Sequence, residues 1–112
     1  MENNIQQSRV TYFNNTYCLK HHTPRSIIFS VPNGSNRSMQ EAMMLKATGL
    51  LSGVSDLILI HKGRVVFIEV KQPTKKQQST QIDFQDRVTA LGYEYHIVYS
   101  LTDFKLLCEK IV

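Results

Sequence analysis

The sequence has few cysteines and no long apolar segment. Its two cysteines, Cys18 and Cys108, are not part of a CxxC motif, so we interpret both as reduced thiols and neither as a nucleophile. No apolar run approaches the roughly 20 residues that span a membrane. The opening Met1-Glu2-Asn3-Asn4 lacks the basic and apolar parts of a signal peptide. We therefore expect a cytoplasmic protein with no membrane partner.

Internal repeats and low-complexity tracts are also absent. The chain has 112 residues, of which 42% are hydrophobic and 20% charged, as in an ordinary globular protein. We predict a single domain over residues 1–112. The formal net charge of +4 suits a polyanionic partner such as DNA or RNA but does not by itself require one.

The spacing of apolar residues predicts four helices and four strands in the order α-β-α-β-β-α-β-α. The first helix is expected over residues 2–17, and the second from a cap at Ser35 or Asn36 to residue 48. The third would run from a cap at Ser79 to Gly92, and the fourth would follow a cap at Ser100 or Thr102. The inward stripes of these two helices are expected to be Gln81, Phe84, Val88 and Leu91 in the third and Phe104, Leu107, Cys108 and Ile111 in the fourth. Strands are expected over 27–31, 56–61, 64–71 and 95–99. This alternation predicts an α/β fold with a mixed sheet covered by helices.

The second and third strands form a predicted hairpin around Lys62-Gly63. Both strands are apolar on both faces, with Ile58 and Phe67 on one face and Leu57 and Ile68 on the other. A strand that is apolar on both faces is buried on both. The hairpin is therefore expected at the centre of the sheet.

Charged residues stand at the open end of this hairpin. If the turn is tight, Asp56 faces Glu69, and Lys71 projects from the same face as Glu69. Directly opposed carboxylates repel each other, and a divalent cation would remove the conflict. Two carboxylates and the carbonyl oxygen of Val70 suit a hard ion such as Mg²⁺. The lysine could hold the attacking water and balance phosphate charge.

A second interpretation of the same residues stays open. Lys71 could satisfy Glu69 in a salt bridge while Asp56 caps a loop, because D…ExK spacings are common by chance. The register also depends on the tight turn. The predicted burial of the hairpin favours a functional site, since unpaired buried charges are strongly destabilising.

The segment Gly53-Val54-Ser55-Asp56-Leu57, followed by Phe67-Ile68-Glu69-Val70-Lys71, resembles the core of the VRR-Nuc family of virus-type replication-repair nucleases. This family is a branch of the PD-(D/E)xK superfamily, and the resemblance covers nearly the whole chain in order. The further matching residues are Glu2 with Ile5-Gln6, Pro32-Asn33-Gly34, Arg37-Ser38, Lys46, Gly49, Gln81, Phe84 and Gly92.

The resemblance implies a restriction-endonuclease-like fold and hydrolysis of DNA phosphodiesters with Mg²⁺ or Mn²⁺, leaving a 5′-phosphate. It implies that Asp56 and Glu69 bind the metal, that Val70 lends its carbonyl and that Lys71 positions the water. Gln81 would lie at the edge of the site. A core amide bonded to the backbone is the other interpretation of Gln81.

Two positions weaken or depart from the family pattern. Glu2 would be the helix carboxylate that completes the site, but it lies close to the N-terminus, where fraying could displace it. Glu41 would then be the alternative, although no motif supports it. Ser55 stands where the family usually has proline, and we expect this change to leave activity intact because proline only stiffens the approach to Asp56.

The candidate DNA-binding residues are Arg37, Lys46, Lys75 and Lys76. Lys75 and Lys76 follow the ExK strand and could contact backbone phosphates. Lys46 has two equal interpretations, a phosphate contact or a lysine that extends from an apolar helix face into solvent.

We thus predict a metal-dependent DNA endonuclease that acts as a homodimer on branched DNA, with four-way junctions as the expected substrate. One alternative is a monomeric nuclease of flaps or single strands. Another is a non-catalytic DNA-binding module with a nuclease fold, which would have no reason to keep opposed carboxylates.

Overall fold

A computed structural model describes the backbone of residues 2–31, 38–49 and 51–112, and the side chains of all these except residues 2–5 and 42. Helices and strands alternate as the sequence predicts. The elements are α1 (Glu2–Tyr17), β1 (Ile27–Ser30), α2 (Met39–Ala47), β2 (Leu57–His61), β3 (Arg64–Val70), α3 (Ser79–Ala90), β4 (Glu94–Val98) and α4 (Leu101–Ile111).

The four strands form one mixed sheet in the order β1-β2-β3-β4. Strand β2 pairs antiparallel with both β1 and β3, whereas β4 runs parallel to β3. A parallel neighbour needs a crossover connection, and α3 supplies it. The predicted α/β fold is confirmed, and the hairpin of β2 and β3 occupies the two central positions.

The hairpin turns at Lys62 and Gly63. Both residues have positive φ angles, +43° and +77°, as a two-residue turn between twisted strands requires. His61 pairs with Arg64, and the ladder continues without a break to Leu57 opposite Ile68. The predicted register is therefore confirmed. Asp56 directly precedes the last paired residue of β2.

The main core lies between one face of the sheet and the helices α1 and α4. Alternate residues of β2 and β3 point into it because successive side chains of a strand face opposite ways. Helix α4 contributes the apolar stripe that the sequence predicts, and its members are fully or almost fully buried. The core consists of Phe13, Ile28, Leu57, Leu59, Val66, Ile68, Val70, Val98, Phe104, Leu107, Cys108 and Ile111.

Helix α3 covers part of the opposite face. Phe84 of α3 stacks edge-on against Phe67 of β3, with ring centroids 5.4 Å apart, and lies 6.2 Å from the ring of Tyr95 in β4. This face is only half-buried at Ile58 and Phe67. The predicted stripe of α3 was wrong at Leu91, which is 75% exposed and lies just beyond the end of the helix at Ala90.

The starts of the helices partly correct the predicted caps. Ser100 caps α4 by accepting a hydrogen bond from the Asp103 amide at 3.0 Å. Ser38 caps α2, accepting from the Glu41 amide at 3.1 Å, whereas the predicted caps Ser35 and Asn36 lie outside the described residues. The N-cap of α3 is Gln78 rather than Ser79.

Candidate active site

Asp56 is held in place by two strands. Its side-chain oxygen Oδ2 accepts a hydrogen bond from the Val70 amide at 2.8 Å, and its carbonyl accepts one from the Val31 amide at 3.0 Å. The first bond ties Asp56 to the end of β3, and the second ties it to the residue after β1. Asp56 is half-buried, so its carboxylate is fixed while remaining accessible.

Glu69 is almost completely buried, with 1% of its surface exposed. Its Oε1 accepts a hydrogen bond from the hydroxyl of Tyr95 at 2.6 Å. Its Oε2 lies 3.9 Å from Nζ of Lys71. The two oxygens of this carboxylate therefore face different groups.

Lys71 is buried beside this carboxylate, with 8% exposure. It follows β3 directly, and its backbone amide donates to the carbonyl of Val98 at 3.0 Å, which continues the parallel ladder. The salt bridge considered from the sequence is present as a loose pair with Glu69. Burial of both partners distinguishes it from a surface ion pair, which contributes little.

Tyr95 contacts the candidate site, although the sequence predicted only a strand at this position. Burial and the bond to Glu69 raise the pKa of its phenol, so the hydroxyl stays a donor. Nε2 of Gln77 lies 3.3 Å from the Tyr95 oxygen and 3.0 Å from Oε1 of Gln85. A single sequence does not reveal this contact, because it depends on the parallel pairing that brings β4 beside β3.

The loop before Asp56 packs tightly against the start of α3. Gly53 has φ +82°, and a Cβ there would lie 2.2 Å from the carbonyl oxygen of Thr80. Only glycine allows this approach. Ser55, in place of the family's proline, is buried and donates a hydrogen bond to the carbonyl of Leu57 at 3.2 Å.

Gln81 combines the two interpretations considered from the sequence. Its Oε1 accepts a hydrogen bond from the Gln78 amide at 2.7 Å, which satisfies a free amide at the start of α3. Gln81 also lines the pocket above Asp56. Its amide is thus bonded to backbone and lies at the edge of the candidate site.

Asp56, Lys71 and Gln81 line an open pocket of about 520 Å³. Three lysines lie on its wall together with one carboxylate, so the pocket can accept an anionic ligand. The lining residues are Asp56, Val70, Lys71, Gln72, Lys75, Lys76, Gln78 and Gln81.

Comparison with known proteins identifies the family and agrees with the fold. The model of the VRR-NUC domain family matches residues 2–101. The chain belongs to the VRR-NUC domain family. Membership implies a nuclease-fold domain that processes DNA.

Solved VRR-NUC structures share the fold. One, described as a VRR_NUC domain protein, is 17% identical, and the match covers 99% of this chain and 87% of that one with a TM-score of 0.78. A second, described as a VRR_NUC domain, is 18% identical, with coverage of 99% and 97% and a TM-score of 0.68. No curated protein matches the chain significantly. Among the helices of the described residues, none has the length and apolar character needed to cross a bilayer.

Not all candidate residues of this VRR-NUC domain meet at the pocket. Lys46 lines a separate cavity of about 450 Å³, together with Ser79 and Thr80 of α3. Glu41 bonds to Ser38 at the start of α2. Arg37 and the side chain of Glu2 lie outside the described residues.

The pocket of this VRR-NUC domain suits a hard divalent ion. VRR-NUC nucleases are typically metal-dependent. Asp56 and Val70 line the pocket and can offer carboxylate and carbonyl oxygens, and the buried carboxylate of Glu69 is next to Val70 in the chain. Mg²⁺ and Mn²⁺ prefer such oxygen donors. In the described part of the chain, no three His, Cys, Asp or Glu residues gather at one point. Mg²⁺ is usually bound by only a few protein ligands, because it keeps several of its water molecules.

Proposed function

We propose that this chain is a metal-dependent DNA endonuclease whose catalytic residues are Asp56, Glu69 and Lys71. The observation that carries the proposal is the arrangement at the end of β2 and β3. A fixed Asp56 and a buried Lys71 line a pocket that also carries Lys75 and Lys76. A buried Glu69 lies beside Lys71. Burying the charges of Glu69 and Lys71 is costly unless they have partners, and the two form only a loose pair, 3.9 Å apart.

Asp56 and Glu69 would hold Mg²⁺ or Mn²⁺ through their carboxylates, with the Val70 carbonyl as a further ligand and Glu2 completing the set. The ion, when bound, supplies a Lewis acid that offsets phosphate charge and makes water more acidic. The bond from the Val70 amide fixes the orientation of Asp56, so little reorganisation would be needed.

The roles of Lys71 and Gln81 follow from their positions. Lys71 is rigidly placed by its backbone bond and its burial, and its ammonium group would orient the attacking water and stabilise charge on the phosphate. Gln81 is fixed by its bond to the Gln78 amide. It would form one edge of the pocket and contact the scissile phosphate.

Lys75 and Lys76 would bind the DNA backbone on either side of the cut. Both are exposed on the pocket wall, and contacts of this kind position DNA without reading its sequence. We assign Lys46 and Arg37 to more distant phosphates. We infer a single domain over residues 1–112 that works in the cytoplasm.

A cleavage panel tests the proposal. Purified protein is incubated with single-stranded, duplex, flap and four-way-junction DNA, with Mg²⁺, with Mn²⁺ and with chelator. We expect cleavage only with metal and a 5′-phosphate on the product. DNA binding without cleavage under every condition would support the non-catalytic alternative instead.

Two isosteric variants separate chemistry from folding. Asp56→Asn keeps an oxygen for the Val70 amide, whereas alanine would leave that buried amide without an acceptor. We expect Asp56→Asn and Glu69→Gln to abolish cleavage and leave the fold and DNA affinity largely intact. Glu109→Gln, on the exposed surface of α4, is the matched control. Wild-type cleavage by either site variant at saturating Mg²⁺ would disprove the metal assignment.

We further propose that the protein is a homodimer that cuts four-way DNA junctions. One chain carries one candidate site, and resolving a junction needs two symmetric cuts, which a twofold dimer supplies. The exposed methionines of α2 support association, because Met39, Met43 and Met44 are 78%, 63% and 67% exposed and large apolar patches commonly mark interfaces.

Light scattering at micromolar concentration should then give twice the 12.9 kDa chain mass. Junction cleavage should yield paired nicks in opposite strands. A monomer that prefers flaps would contradict the dimer and leave the metal-site proposal standing.

A further inference from the structure

A chain of hydrogen bonds leads from α3 to the buried carboxylate. Gln77 donates from Nε2 to Gln85 of α3 at 3.0 Å and to the hydroxyl oxygen of Tyr95 at 3.3 Å. Because that oxygen accepts from Gln77, its own proton is directed to Oε1 of Glu69, 2.6 Å away. This distance is typical of a strong hydrogen bond from a hydroxyl to a carboxylate.

The bond restrains how the carboxylate of Glu69 is turned. Rotation about the last torsion of a glutamate is soft, so burial alone does not select an orientation. With Oε1 bonded to Tyr95, Oε2 is the oxygen on the side of Lys71, at 3.9 Å from Nζ. Without Tyr95, the carboxylate could rotate toward the ammonium group and close this loose pair into a tight one.

A closed pair would disable both partners. The Glu69 oxygen would be occupied by Lys71, and the Lys71 ammonium would no longer point to the pocket that it lines. Tyr95 is placed to prevent this because β4 pairs in parallel with β3, with Tyr95 in register with Phe67. Side chains two residues apart on a strand share a face, so Tyr95 reaches the carboxylate two positions along β3.

We propose that Tyr95 is a positioning residue that holds Glu69 away from Lys71 and keeps Oε2 available to a divalent ion. This inference rests on the proposed function. Hydrogen-bond partners of metal-binding carboxylates usually contribute about 10- to 100-fold to metal affinity. A tyrosine that served only the core would use its ring against Phe84, and the loss of its hydroxyl would not change metal affinity.

Tyr95→Phe tests the inference, since it removes the hydroxyl and keeps the ring. Mn²⁺ is titrated calorimetrically into wild-type protein, Tyr95→Phe and Tyr99→Phe, without DNA. Tyr99 directly follows β4 and is 43% exposed, so its variant is the matched control. We expect Mn²⁺ affinity to fall about 10- to 100-fold in Tyr95→Phe and to stay at the wild-type value in Tyr99→Phe. The Mn²⁺ concentration that half-saturates cleavage should rise by the same factor.

The outcomes separate the two proposals. Wild-type affinity in a folded Tyr95→Phe protein would overturn the role of Tyr95 and leave the metal site standing. Failure of the wild-type protein to bind Mn²⁺ at all would overturn the proposed function and this inference with it. If Tyr95→Phe does not fold, Gln77→Ala decides, because it keeps Tyr95 and removes the bond that directs the Tyr95 proton, together with the bond to Gln85. A reduced affinity in that variant supports the inference, and an unchanged affinity overturns it.

Discussion

The contact between Gly53 and the start of α3 leads to a quantitative stability prediction. In Gly53→Ala, the new Cβ would lie 2.2 Å from the Thr80 carbonyl oxygen, against 3.4 Å or more for an ordinary contact. The loop or the first turn of α3 must therefore move by about 1.2 Å. Overpacking of this kind typically costs about 1–3 kcal/mol.

Gly63 is the matched control for this substitution. Its φ of +77° is close to the +82° of Gly53, but nothing lies within 4 Å of a Cβ built there. Alanine at a left-handed position costs about 1–2 kcal/mol. The loss of unfolded-state entropy on replacing glycine is similar at both positions. The difference between the two variants therefore isolates the steric contact with α3.

We expect Gly63→Ala to lose about 1–2 kcal/mol and Gly53→Ala about 2–5 kcal/mol. At about 4 °C per kcal/mol for a domain of this size, the melting temperatures should fall by about 4–8 °C and 8–20 °C. Thermal unfolding followed by circular dichroism, with urea unfolding as a second measure, gives both values. Equal losses in the two variants would refute the close approach of the loop to α3.

Three further predictions concern charged and buried side chains. Lys71→Ala should slow cleavage by at least about a hundredfold, with little change in the Mn²⁺ affinity measured by calorimetry. Lys71→Arg should not restore the cleavage rate. Loss of metal binding in Lys71→Ala would contradict the role of Lys71 as a non-ligand. In a plot of log DNA affinity against log salt concentration, Lys75→Ala and Lys76→Ala should each reduce the slope by about one. Lys110→Ala on α4 is the control and should leave the slope unchanged. An unchanged slope in Lys75→Ala or Lys76→Ala would show that the residue does not contact DNA phosphates. Burial raises the pKa of Cys108 to about 12, so its thiol ionises first in the unfolded chain and the free energy of unfolding should fall as pH rises above about 9. Cys108→Ala should show a shallower fall in urea titrations across this range, and parallel curves would disprove the assignment.

The hairpin and the candidate site could be predicted from the sequence because local signals determine them. A two-residue turn fixes the register of the strands that it joins, so Asp56 and Glu69 could be placed opposite each other before the structure was known. Strand alternation then put Lys71 on the same face. The apolar stripe of α4 could also be predicted, since its apolar residues recur at helical spacing.

The features that the sequence did not indicate depend on contacts between distant segments. Tyr95 reaches Glu69 only because β4 lies parallel to β3, and no local pattern specifies which strands are neighbours. Arg9 of α1 is another such residue, with only 3% exposure. Burial lowers the pKa of its guanidinium, and the negative charge of Asp103 on α4 opposes this shift. The packing of α1 against α4 creates that environment, and neither segment reveals it alone.

The Lys62-Gly63 turn has a consequence for how this chain can tolerate insertions. Turns at the surface usually accept extra residues, and this one lies five residue pairs away from Asp56. A single inserted residue that shifted the ladder by one position would nevertheless move every β2 side chain to the opposite face. Asp56 would then point toward the core. We therefore expect the turn to accept other residues that adopt positive φ easily, such as Asn at Lys62, whereas a change in its length would misplace the carboxylate at the far end of the strand.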